Sequence, residues 1–247
     1  MPTEKELLAT CSQVGNLLLN SGAETFRIEN TIEHIGKAAQ TPIVCYSTLT
    51  AIFITINEST DTLFIKPKMG GYDLKKVDAI NQLSRDFTQQ KINFNQFNQA
   101  VTDLDQTVTQ TPFWLQVLGA GLVSMAPMLV FKATWTDLSL SFFVGLLAFI
   151  FSKKITNYYD FPYISEVVGG FTIGLLASLL VKFHIGDNLY NIIISSLMPL
   201  VPGVAITNAI REIIAKEIIS GIVRITYAFF VAGAIAFGVI LAIEVCH

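Results

Sequence analysis

The stretch Leu197-Met-Pro-Leu-Val-Pro-Gly-Val-Ala-Ile-Thr-Asn-Ala-Ile-Arg-Glu212 has the most chemically suggestive spacing in the chain. Pro199 and Pro202 each remove a backbone donor and clash with the preceding turn, and Gly203 loosens the chain further. A helix restarting at Gly203 would present free N–H groups and the positive end of its dipole to whatever lies before it. Broken transporter helices hold a substrate carboxylate in this way. Thr207, Asn208 and Arg211 share one face of the continuing helix. Pro202, Gly203, Thr207, Asn208 and Arg211 are therefore candidate substrate-binding residues, and the expected ligand is a small carboxylate. The competing account is a proline kink that only shapes a bundle, with Arg211 as an anchor at the membrane edge. Pro127, alone in its segment, reads as a plain kink.

A second group comprises Gly22, Glu24, Arg27, Glu29 and, far from these, Glu166. A basic and an acidic group beside a glycine turn could meet a carboxylate or gate its entry. Local structure offers another account: Ser21 as N-cap with Glu24 at N3 forms a capping box, and Arg27 pairs with Glu24 three residues earlier. Glu166, at the start of an apolar segment, is either a proton-coupling carboxylate or a solvated helix end. These five are the candidate gating or coupling positions. No catalytic residue, cofactor or metal ligand is expected. Cys11, Cys45 and Cys246 show no CxxC spacing, the three histidines are scattered, and GxSxG, HExxH and P-loop patterns are missing.

These positions sit on two chemically different halves. Of 247 residues, 52% are hydrophobic and only 14% charged, against about a quarter charged in an average soluble domain. Up to residue 111 there are 9 Lys/Arg and 12 Asp/Glu, whereas the remaining 136 residues hold 7 of each. A net charge of −3 argues against a nucleic-acid partner. The N-terminus lacks the charged and apolar regions of a cleaved signal peptide. The expected architecture is an α-helical membrane protein: a cytoplasmic α+β domain over 1–111 and a five-helix transmembrane bundle over 112–247.

Crossing a bilayer takes about 20 apolar residues. Five segments qualify: 113–131, 134–152, 163–183, 188–210 and 218–243. Lys153, Lys154, Arg211 and Lys216 mark the cytoplasmic side, against Lys132 and Lys182 opposite, so His247 is expected outside. Four-residue spacings of small residues, Gly170/Gly174, Ala232/Ala236 and Ala234/Gly238, fit close helix packing in lipid. In the first half, Leu7, Cys11, Val14 and Leu18 make one helical stripe, and Ile28, Ile32 and Ile35 a second. Thr48 to Ile56, a turn over Asn57–Asp61 and Thr62 to Lys66 read as a β-hairpin. Gly70-Gly71 breaks the chain, and helices follow from Leu74 to Gln90 and from Phe94 toward Val108.

Leu17-Leu-Leu-Asn-Ser-Gly-Ala-Glu-Thr-Phe-Arg-Ile-Glu29 resembles the N-terminal-domain signature of the threonine/serine exporter family. Val201-Pro-Gly-Val-Ala-Ile-Thr-Asn-Ala-Ile-Arg-Glu212 and Ser220-Gly-Ile-Val-Arg224 resemble its fourth and fifth spans. The resemblance implies a secondary exporter of small carboxylates in a bacterial-type plasma membrane. Full-length members carry about five further helices, so the resemblance points to a split form associated with succinate export, with a second small membrane subunit as partner. Five spans would place that partner as an inverted repeat. The alternative is a membrane-anchored hydrolase using the cytoplasmic domain, as has been suggested for the family's soluble part.

Overall fold

Two amphipathic stripes, a short run of β-branched residues and four long apolar segments account for most of the fold. The computed structural model describes residues 2–56, 62–67, 71–107, 111–131, 133–158 and 161–246. The expected turn at Asn57–Asp61, the end of the helix toward Val108, Gly70, Lys132 and the side occupied by His247 lie outside the described residues. The chain divides into two compact units. The first joins Met1–Gln110 to Val204–Ile225; the second joins Thr111–Gly203 to Thr226–His247.

In the first unit, α1 (Glu4–Asn20) and α2 (Thr25–Ala38) follow the two stripes. Leu7, Cys11, Val14 and Leu18 of α1 and Ile28, Ile32 and Ile35 of α2 are buried in one core. A capping box starts α1: the Glu6 N–H donates to the Thr3 hydroxyl (3.3 Å), and the Thr3 N–H to the Glu6 carboxylate (2.9 Å). The sheet is antiparallel, in the order β1 (Ile43–Ser47), β2 (Ile52–Ile56), β3 (Thr62–Ile65), with Cys45 opposite Ile54 and Phe53 opposite Phe64. Ile43, Cys45, Ile52, Ile54 and Ile56 turn into the core, while Tyr46, Phe53 and Phe64 stack along the exposed face. Burial pushes the Cys11 thiol up to about 12, making it a core hydrophobe. Helices α3 (Leu74–Thr88) and α4 (Phe94–Gln106) complete the core through Val77, Ile80, Phe87, Phe97 and Val101.

The hairpin expected from Thr48 differs in detail. β2 begins at Ile52, because Thr48–Ala51 forms a turn that β1 enters. The Thr48 hydroxyl accepts the N–H groups of Thr50 and Ala51, and the Thr48 N–H donates to the Ala51 carbonyl at 2.7 Å. A threonine side chain competing for backbone donors in this way favours a turn over a strand.

In the second unit, α5 (Phe113–Phe131), α6 (Trp135–Tyr158), α7 (Ile164–Lys182) and most of α10 (Ile218–Cys246) are long and apolar enough to cross a membrane. Their exposed side chains, among them Leu122, Leu129, Phe143, Phe229 and Phe237, suit a lipid boundary. Glycine lets backbones approach. A Cβ on Gly170 would strike the Ile235 carbonyl, and one on Gly238 the Val167 carbonyl, so the small-residue spacing joins α7 to α10. Buried Asp137, in the first turn of α6, accepts the Asp187 and Asn188 N–H groups (2.9 and 3.1 Å). That pair fastens the entry to the helix that begins at Leu189.

The fourth expected span, 188–210, is not one helix. It divides into α8 (Leu189–Leu197) and α9 (Gly203–Ile214). Their 9 and 12 residues rise roughly 14 and 18 Å, so neither alone matches a hydrocarbon core of about 30 Å. Among the described residues there are thus four apolar helices of spanning length plus one interrupted pair. The break falls at the two prolines, and helix resumes at Gly203. The domain boundary expected at 111/112 is crossed by Val204–Ile225, which packs with the first unit.

Candidate functional site

Gly22 sets up the site. At φ +84° it takes the left-handed backbone that ends α1. The Gly22 N–H donates to the Leu19 carbonyl (3.1 Å), and the Ala23 N–H reaches back to Leu18 (3.0 Å). This is a Schellman cap, in which glycine carries no Cβ penalty. The expected Ser21/Glu24 capping box does not form. Ser21 closes α1 through its N–H to Leu17, with φ −93° and ψ 4°, far from the extended backbone that an N-cap needs. Glu24 is itself the N-cap of α2 and makes no side-chain cap bond. Its carboxylate is left available for other cations.

Those cations come from two helices distant in sequence. Asn208, Arg211 and Glu212 fall at i, i+3 and i+4 on α9, and Arg224 lies in the second turn of α10. The Asn208 side-chain amide donates to the Gly22 carbonyl (2.9 Å), and Arg211 Nη1 to Glu24 Oε1 (3.0 Å). Arg224 Nε donates to both Glu212 oxygens (3.0 Å each), while its Nη2 donates to the Ala23 carbonyl (2.8 Å). Glu212 also accepts the Thr25 N–H (3.2 Å), one of the donors left orphaned at the start of α2. Every residue of the turn Gly22–Thr25 is therefore bonded to α9 or α10.

The electrostatics divide the cluster into a dry part and a wet part. The Glu212 and Arg224 side chains are 0% and 4% exposed. Arg211 is 63% exposed with one edge on buried Glu24, and Arg27 joins from its own helix at 3.4 Å. Burial pushes the Glu24 carboxyl up. Hydrogen bonding and the charges of Arg211 and Arg27 outweigh it, holding Glu24 below the usual carboxylate range.

Of the expected substrate-binding positions, Asn208 and Arg211 enter this cluster. The Thr207 hydroxyl donates to the Val204 carbonyl (3.1 Å) on its own helix. Pro202 and Gly203 close the segment that leads to α9. A Cβ on Gly203 would meet nothing within 4 Å. Its backbone is not in the left-handed region, so no strain forces glycine there. Among the expected gating positions, Gly22, Glu24 and Arg27 are in or beside the cluster. Glu29 is turned elsewhere: its carboxylate accepts the Ser47 N–H at 2.7 Å and ties α2 to the end of β1. Burial raises its pKa, with Glu217 and Glu33 adding to the effect. Glu166 belongs to the second unit, where it accepts the Ser165 hydroxyl (2.8 Å) in the first turn of α7. Glu212, Arg224 and Asp137 were not singled out by spacing. Arg224 carried a usable signal, since a charge inside an apolar helix requires a partner.

The family described as "Putative threonine/serine exporter" (ThrE) matches residues 9–246. Over 178 residues the chain is 28% identical to pheromone-regulated membrane protein 10 of Candida albicans, in both strains WO-1 and SC5314. That alignment covers 69% of this chain but 16% of the fungal proteins, so the chain spans a small part of their length. No solved structure matches. With four apolar helices of spanning length among the described residues and a match over nearly its whole length, this is a multi-pass membrane protein that belongs to the threonine/serine exporter family.

Proposed function

We propose that this chain is one subunit of a secondary exporter for small carboxylates. The cargo is threonine and serine or a dicarboxylate such as succinate, and a second small integral-membrane subunit of about five spans completes the path. The reading is supported most by the Arg211–Glu24 pair. A largely exposed guanidinium there already holds a carboxylate through one edge, and a planar fork is suited to taking another carboxylate in two parallel hydrogen bonds. Glu24 occupies the position of a substrate carboxylate in this picture. Cargo binding exchanges Glu24 for the substrate on Arg211, and the Gly22 turn answers. The first unit faces the cytoplasm, in keeping with Lys153, Lys154 and Lys216 on that side.

The test is export from proteoliposomes loaded with labelled threonine or succinate, by this chain alone and co-expressed with a small membrane protein of about five spans. Activity is expected only for the pair. Arg211→Ala should abolish export at unchanged expression, and Arg211→Lys should restore part of it. Because Glu24 is buried, losing Arg211 also costs stability, so the thermal midpoint of each variant is measured beside export, and lost export counts only where the midpoint holds. Full export by Arg211→Ala would overturn the substrate role.

A further inference from the structure

A cleft of about 360 Å³ lies between α2 and α3 of the first unit. Two packed helices ordinarily turn apolar rows toward each other, but here the rows are polar. Arg27, Asn30, Thr31 and His34 line it from α2 at spacings i, i+3, i+4 and i+7. Asn81, Ser84, Arg85 and Thr88 line it from α3 at the same spacings. No carboxylate is among them. Of the nearby acids, Glu24 holds Arg27 Nη1, and Asp86 takes Gln82 Nε2 (3.1 Å) and Lys91 Nζ (3.3 Å).

The donor supply decides what could fill the space. The Thr31 and Thr88 hydroxyls donate back to the Arg27 and Arg85 carbonyls, so they offer only acceptor capacity. Arg85 bonds Gln82 through Nε and Nη2, which leaves its Nη1 uncommitted. Two guanidinium groups, the Asn30 and Asn81 amides and the His34 ring thus face a space with a surplus of donors and positive charge. A single carboxylate presents two oxygens and one charge, whereas a phosphate presents three terminal oxygens and up to two charges. The volume equals about a dozen waters and lies in the range of small-molecule sites.

We propose that this cleft binds a small phosphate-bearing anion, through Arg27 and Arg85 with Asn30 and Asn81. The site is separate from the Arg211–Glu24 pair, and it does not depend on which metabolite is exported. Arg27 belongs to both places: an anion in the cleft draws on the guanidinium that also braces Glu24.

Full-length protein in neutral detergent, titrated calorimetrically with inorganic pyrophosphate, tests the proposal. Saturable binding is expected. Arg85→Ala should weaken it by at least roughly tenfold, the loss of one charge-assisted hydrogen bond, and Arg85→Lys by less. Lys91→Ala removes the same charge outside the cleft and should leave affinity unchanged. Nanodiscs separate two sources of the phosphate. Pyrophosphate binding in pure phosphatidylcholine points to a soluble anion, whereas competition between pyrophosphate and phosphatidylglycerol discs points to a lipid headgroup; both results uphold the site. No saturable binding, equal losses in Arg85→Ala and Lys91→Ala, or succinate binding as tightly as pyrophosphate would overturn the proposal.

Discussion

Arg224 and Glu212 are both buried, and charges out of water persist only when paired and hydrogen-bonded. Here the geometry supplies this: two bonds between the ions, one to Ala23 and one from Thr25. Removing one partner strands the other. Glu212→Ala should therefore destabilise the protein by about 3–5 kcal/mol, while the apolar double variant Glu212→Leu/Arg224→Met should lose clearly less. Denaturant unfolding in detergent measures both, and a double variant as damaged as the single one would refute the ion-pair account. Glu29 behaves oppositely to Glu24. Its folded pKa is raised, chiefly by burial, so folding favours the protonated form. The stability this contributes is complete below about 4.5 and is lost as pH rises through the raised value. Glu24, held low, contributes stability that is lost as pH falls below that same region. Glu29→Gln keeps an acceptor for the Ser47 N–H, so it should flatten the fall in thermal midpoint above pH 4.5. Matching pH profiles for the variant and the parent would contradict this.

At the scale of elements, the Gly22 turn couples the end of α1 to α9. The left-handed residue that ends α1 also points its carbonyl at Asn208. An added Cβ would be strained at φ +84° and would strike the Tyr72 ring. Gly22→Ala should cost about 1–3 kcal/mol and lower the thermal midpoint, whereas Gly203→Ala, with open space around it, should leave it nearly unchanged. Local pattern made much of this layer legible. The stripes of α1 and α2, the apolar length of α5, α6, α7 and α10, and the helix restart at Gly203 all follow from periodicity, length and proline chemistry. Strand β1 was not legible, because Ile43–Ser47 is too short to show alternation and acquires a partner only across the Thr48 turn. The capping box failed for a related reason. Ser21 and Glu24 have the right types and spacing, but the Schellman cap claims Ser21 first, and long-range cations claim Glu24. Residue types pointed to Asn208 and Arg211, which do enter the polar cluster. Their partners, nearly 190 positions earlier, are fixed by tertiary folding and left no trace in spacing.

For the whole molecule, the interrupted α8–α9 pair decides topology. If it crosses the bilayer as one discontinuous span, the chain makes five crossings and the end of α10 lies outside; if it does not, the crossings are four. The chain carries its own reporter. Of three cysteines, Cys11 and Cys45 are buried in the first unit with thiols pushed well above their ordinary pKa by burial, whereas Cys246 is partly exposed at the last turn of α10. A membrane-impermeant maleimide applied to intact cells should therefore modify the parent protein at Cys246 alone. Cys246→Ser should abolish labelling, and lysis should add little. Labelling that appears only after lysis would place the end of α10 in the cytoplasm. It would reduce the crossings to four and remove the geometric case for an inverted five-span partner, since a unit joined there would then repeat in the same orientation. The cargo assignment would survive that result, because Arg211 and Glu24 both lie within the first unit and do not depend on how many helices cross.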